Sequence, residues 1–178
     1  MKKLLPAALA ALILLTGCAG TEAWETVSDT LGGVVEASAS APGEEPFDII
    51  FSVPSDAVLE TFSQTDTRAV YVQADGDYQI ESLVLETPDI DEVVRELTGF
   101  LPDAVEKVKT ERFSMPEYRF VWYSESEEGG YLSRAAVLTD AEYSYALVFS
   151  ARAETGTQYS ACRDEVLSSF GLYTYEGV

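Results

Sequence analysis

The chain has no histidine and only two cysteines in 178 residues. Without histidine there is no Ser-His-Asp triad, no His-ligated zinc and no imidazole to move protons near neutral pH. Lysine is also scarce: beyond Lys2 and Lys3, only Lys107 and Lys109 remain. Set against 31 acidic residues, this excludes a nucleic-acid surface, because phosphate contacts need clustered cations. No Gly-rich phosphate loop, CxxC pair or nucleophile elbow occurs. The apolar run at residues 4–16 is 13 residues long, short of the roughly 20 that a membrane-spanning helix needs. Carboxylate-only chemistry, of the kind a glycosidase uses, stays open, as does a reactive thiol at Cys162.

What is present begins with that short run. Lys2 and Lys3 precede it, and Leu15-Thr16-Gly17-Cys18 closes it. A basic start, an apolar stretch of this length and a small residue before the end describe a secretory signal. The closing four residues resemble the lipobox of bacterial lipoprotein signal peptides. That resemblance implies a diacylglyceryl group on the Cys18 thiol, cleavage before Cys18, and anchoring to the outer face of the cell membrane by two or more acyl chains, which hold stably where one does not. The plain alternative is an ordinary secretory signal with a chance cysteine.

Cleavage before Cys18 removes 17 residues and leaves 161, with nine basic and 31 acidic residues and a net charge of −22. Such a surface repels nucleic acid and anionic head groups and suits a domain held off a membrane. Cys162 is then the second cysteine left without an intrachain disulfide partner, so stability must come from an apolar core. The expected organisation is a signal peptide at residues 1–17, a lipid-anchored flexible tether at 18–46 and one domain at 47–178.

The tether is rich in Ala, Ser, Thr, Gly and Glu and ends near Pro42 and Pro46. Trp24, Val27, Leu31 and Val34 follow helical spacing inside it, while Gly32 and Gly33 interrupt them. A short amphipathic helix and an unstructured tether are both compatible with this. In the domain, strands are expected at residues 47–53 and 57–62. A hairpin at 68–73 and 78–86 would turn at Asp75-Gly76 as a type I′ turn, which needs positive φ at both centres. The apolar period then changes from 2 to 3.6. Ile90, Val93, Val94 and Leu97 share a face, Thr87 can cap, Pro88 fits the first helical position and Gly99 is a stop, predicting a helix over 88–98. Strands at 105–113, 117–124, 131–138 and 143–152 with short connections predict an antiparallel meander. A second helix over 157–170 would carry Tyr159, Cys162, Val166, Leu167 and Phe170 on one stripe, with Gly171 ending it. Cys162 is expected to be buried there and, in a strongly negative protein, poorly ionised.

Two constellations need weighing. Asp75 and Asp77 share one turn, and Glu125, Glu127 and Glu128 crowd another, but neither fits a calcium loop, and solvated hairpin tips explain both. Tyr118, Phe120 and Trp122 alternate onto one sheet face, as Tyr143, Tyr145, Leu147 and Phe149 do on a neighbour. Exposed, such rows would bind sugars or peptides. Because Val121, Tyr123, Ala146 and Val148 intervene, both faces are at least partly apolar, and a sheet covered on each side accounts for them.

This order of elements, with the meander at residues 117–152 and the ending at 166–170, resembles the Mog1/PsbP-like α/β/α sandwich. The chain also resembles small lipoproteins of Gram-positive bacteria. The fold class implied is α+β: an antiparallel sheet with a helix packed on each face. The function implied is a membrane-anchored, non-catalytic accessory domain of the cell envelope with a protein partner. The alternative is a module for a small ligand or envelope glycan that uses exposed aromatic residues. Cys18 is the lipid-attachment residue. No catalytic, cofactor or metal residue and no nucleic acid are expected, and the residues do not set an oligomeric state.

Overall fold

A computed structural model describes residues 24–27, 46–126 and 129–173. The lipobox, Cys18 and most of the segment read as a tether lie outside them, as do Glu127 and Glu128. Ten strands and two α-helices among these residues follow the order β1 (Trp24–Val27), β2 (Asp48–Pro54), β3 (Ala57–Leu59), β4 (Arg68–Gln73), β5 (Tyr78–Leu85), α1 (Ile90–Thr98), β6 (Lys107–Arg112), β7 (Met115–Ser126), β8 (Gly129–Thr139), β9 (Ser144–Arg152), α2 (Ser160–Ser169) and β10 (Gly171–Tyr173). A 3-10 turn at Pro102–Ala104 links α1 to β6.

Seven strands form one antiparallel sheet in the order β3-β4-β5-β9-β8-β7-β6, and β1-β2-β10 form a second, smaller one. The expected meander is β6 to β9. It starts at the far edge of the sheet and walks back until β9 pairs with β5, from Tyr78 opposite Ala151 to Leu85 opposite Ser144. The segment from β5 to β6 must therefore cross the strands it skips, and α1 lies in that crossing.

Alternate residues of a strand point to opposite faces, and β9 shows the division. Tyr145, Leu147, Phe149 and Ala151 join a cluster with Phe51, Val53, Tyr78 and Ile80 and with Cys162, Val166, Leu167 and Phe170 of the α2 segment. Ala146 and Val148 join the other cluster, with Phe120, Trp122, Ala135, Val137 and Val93 and Val94 of α1. Cys162 is buried, on the stripe where the sequence places it.

Several details differ from expectation. The cap of α1 is Asp89, whose carboxylate accepts from Asp91 N–H at 2.9 Å. Thr87 stands just before it, accepting from Asp89 N–H and donating to Glu92. The 74–77 turn has positive φ at Gly76 but not at Asp75. Its Gly76 N–H bonds Gln73 O at 2.8 Å, and the Gln73 side chain accepts from Asp75 and Asp77 N–H. The two-residue turn with both centres at positive φ is instead Phe113-Ser114, joining β6 to β7. Trp24–Val27 is a strand antiparallel to β2, against the helical spacing read there. Gly171 does not only end α2: it begins β10, which pairs with β2.

Candidate functional site

The aromatic rows sort by face. Phe120 and Trp122 are 3% and 9% exposed and lie in the α1 cluster with partly buried Tyr118. Tyr145, Leu147 and Phe149 lie in the α2 cluster, with Tyr143 partly buried against it. None is a free platform. Of the intervening row, Val121 is 45% and Tyr123 49% exposed, and Val108 on β6 at 56% and Leu132 on β8 at 38% are exposed beside them. The register puts them together. Val108 pairs opposite Arg119, Val121 opposite Arg134 and Tyr123 opposite Leu132. All four point to the face that α2 covers further in, where the helix does not reach them. Gly130 supports the edge of this patch, because a Cβ there would meet the Tyr123 hydroxyl at 2.1 Å.

A groove of about 550 Å³ runs between α2 and this part of the sheet. Val108, Arg119, Val121 and Arg134 line it from the sheet, and Leu167 and Asp164 line it from α2. Glu117, buried beside it on β7, takes two bonds from Arg119 on Oε1 and one from the Thr110 hydroxyl on Oε2. Arg112 approaches the same carboxylate at 3.8 Å and donates to Ser168 O, tying β6 to the end of α2. Burial pushes the Arg112 guanidinium below its ordinary value, with Glu117 opposing and Arg119 adding to the shift. Asp164 is taken by Arg163 through Nε and Nη2 at 3.0 and 2.8 Å. The chemistry on offer is apolar contact plus guanidinium donors.

On the other face, beside the end of α1, a smaller pocket of about 320 Å³ is lined by Trp122, Tyr131, Gln79, Glu81 and three serines. Ser133 and Ser150 share a buried 2.8 Å hydrogen bond on adjacent strands at its floor. The Arg152 guanidinium lies 5.9 Å from the centre of the Tyr131 ring.

The turn carboxylates do not gather into a centre. Asp77 accepts from the Tyr159 hydroxyl at 3.0 Å, and among the described residues no three His, Cys, Asp or Glu side chains come together as a metal site. Lys107 is less solvated than its strand position suggests, bonding Asp91 and Pro102 O. Among the described residues, no helix is long and apolar enough to cross a membrane.

No protein-family model matches this sequence, and no curated protein matches it. Solved structures do. The cyanobacterial PsbP of Synechocystis aligns over 77% of this chain and 98% of its own, at 14% identity and a TM-score of 0.50. The Ran-binding protein Mog1p of Saccharomyces cerevisiae aligns over 70% of this chain and 89% of its own, at 13% identity and a TM-score of 0.47. A Bacteroides thetaiotaomicron protein aligns over 72% of this chain at 13% identity and a TM-score of 0.49, and this chain spans 46% of its length. At such identities the likeness bears on the fold alone: the chain has a sheet-rich, PsbP-like α+β fold.

Proposed function

We propose that this chain is a lipid-anchored accessory domain of the cell envelope, held outside the cytoplasm through Cys18, that works by binding a protein partner and not by catalysis. One observation carries the reading: Val108, Val121, Tyr123 and Leu132 are exposed together on one face of three adjacent strands. Exposed apolar side chains that are contiguous, not scattered, mark a surface used for contact. The finer architecture belongs to the same reading: a three-layer sandwich with a helix on each face. It is supported by the division of the core, with α1 residues in one cluster and α2 residues in the other. The non-catalytic part rests on the lack of histidine and on the engagement of the buried carboxylate Glu117 by Arg119 and Thr110.

The test is a photo-crosslinking amino acid at Tyr123 in cells that produce the full chain. A discrete crosslinked protein that is lost in a Cys18→Ser variant supports both halves of the reading. Fatty-acid labelling that persists in Cys18→Ser removes the anchor. Hydrolysis of peptidoglycan, ester or peptide by the purified chain, abolished by changing one carboxylate, removes the non-catalytic half.

A second reading is favoured by the smaller pocket. Tyr131 beside Ser124 and the Ser133–Ser150 hydroxyl pair offers an aromatic wall and polar groups, the pairing that small-ligand sites use for orientation. Binding of envelope glycan fragments that Ser133→Val weakens, with the Tyr123 crosslink unchanged, would assign the pocket to that role.

A further inference from the structure

Arg134 is the residue the fold leaves unexplained. Other arginines near the groove are engaged: Arg119 by Glu117, Arg163 by Asp164, and Arg112 by Glu117 and Ser168 O. Arg95 has no carboxylate partner but stands exposed on α1, where water solvates it. Among the described residues Arg134 has no carboxylate partner, and it is only partly exposed. It sits on β8 between Val121 and Phe149 of the flanking strands, its Nε is shut off from solvent, and that donor has no hydrogen-bond partner. A buried donor on a charged group that is left unpaired is costly. It stands in the groove beside α2, among apolar side chains that are themselves uncovered.

We propose that this groove receives an extended apolar segment of a partner protein carrying a single carboxylate, which pairs with the Arg134 guanidinium. The inference rests on the accessory reading above and names the chemistry of its partner. The guanidinium fork matches a carboxylate in plane and takes it with two parallel bonds. Val108, Val121 and Leu167 supply the apolar walls, and the patch continues past the groove to Tyr123 and Leu132. Two acidic residues also line the groove. Asp164 is paired with Arg163, whereas Glu106 lies exposed at the rim. That rim charge and the overall charge of −20 disfavour a strongly acidic run at long range. One carboxylate among apolar residues keeps the local attraction without the general repulsion.

The test uses the purified full chain and fluorescence anisotropy at about 0.15 M salt, where long-range charge is screened. The probe is a fluorescein-labelled nonapeptide alternating valine and threonine around one central glutamate. Its control carries glutamine at the centre. The glutamate peptide should bind about tenfold or more tighter than the control, the size of one charge-assisted contact. Arg134→Gln should erase that preference, so that the two peptides bind this variant equally, with its circular dichroism spectrum showing that the fold is retained. Arg134→Lys should restore part of it, and Tyr123→Ser should weaken both peptides. A preference that is missing, or that survives Arg134→Gln, overturns the proposal. So does a concentration-dependent dimer dissolved by Arg134→Gln, which would give the groove to a second copy. Oleate binding tighter than either peptide and lost in Arg134→Gln would give it to a lipid and overturn the proposal equally. If the peptides fail while the Tyr123 crosslink stands, only this inference falls; if the crosslink fails as well, the accessory reading falls with it.

Discussion

The two helices are built on opposite principles. The helix α1 is specified by its own residues. Asp89 caps it, Asp91 and Glu92 sit at the positive end of its dipole, and Gly99 at φ 72° ends it with an N–H to Arg95 O. The helix α2 has no side-chain cap and no charge bias at either end. It is held by what it touches: Cys162, Val166 and Leu167 inside the larger core, then Phe170 leading directly into β10. Local signals therefore stabilise a helix that tertiary contact only partly covers, and tertiary contact alone fixes the other.

Substitutions can break this contrast. The largest effect is expected at the junction of α2 and β10. Phe170→Ala empties a fully buried site and should cost about 3–5 kcal/mol in urea unfolding; a loss under about 1 kcal/mol would mean that α2 does not depend on the core. Next come two leucines that look alike in the chain. Leu167 is 8% exposed, so Leu167→Ala should cost about 2–5 kcal/mol. Leu97 packs only partly against the α1 cluster, and Leu97→Ala should cost about 1 kcal/mol. Equal losses would remove the asymmetry.

A cap should matter where there is one. Asp89→Ala is expected to lower stability by about 1 kcal/mol, measured by thermal unfolding, whereas Tyr159 at the same position of α2 makes no capping bond. The smallest effect is a pH dependence at Tyr159. Its phenol is pushed up from 10.0 to about 12 by burial first, then by its hydrogen bond to Asp77 and by the negative charges of Asp77, Asp56 and Asp75. The folded state thus keeps a proton that the unfolded chain has released. The contribution is complete below about pH 10 and is lost as pH rises through about 12. Tyr159→Phe should flatten the decline of unfolding free energy between those values, and parallel curves for the two proteins would contradict the assignment.

The same contrast governs what could be read in advance. Signals confined to a few residues were legible: the Asp75-Gly76 turn as a location, α1 from its period and its stop, and the meander from its short connections. Whatever depended on distant pairing was not. Trp24 and Val27 show helical spacing, yet pairing with Pro54 and Phe51 as partners in β2 makes their segment a strand. Gly171 reads as a helix stop, and nothing local announces that three residues then add to β2. The candidate site follows the same rule. Alternation identified the two rows of β7, but only the position of α2 decides that Val121 and Tyr123 stay exposed while Phe120 and Trp122 do not. Arg134 interrupts an otherwise apolar and small run on β8, a faint signal without the groove that gives it meaning.

The large sheet ends in two unequal edges. Sheet edges invite fusion between molecules, because unpaired backbone groups template further strands. The β3 edge has three residues and offers little length to copy. The β6 edge has six, but it carries Lys107, Lys109 and Arg112 against the single acid Glu111. Asp91 and Glu117 offset Lys107 and Arg112 in part, but two copies meeting edge to edge along β6 would still set Lys109 and its cationic neighbours against their own kind. Cations thus guard the longer edge of the large sheet against fibre growth.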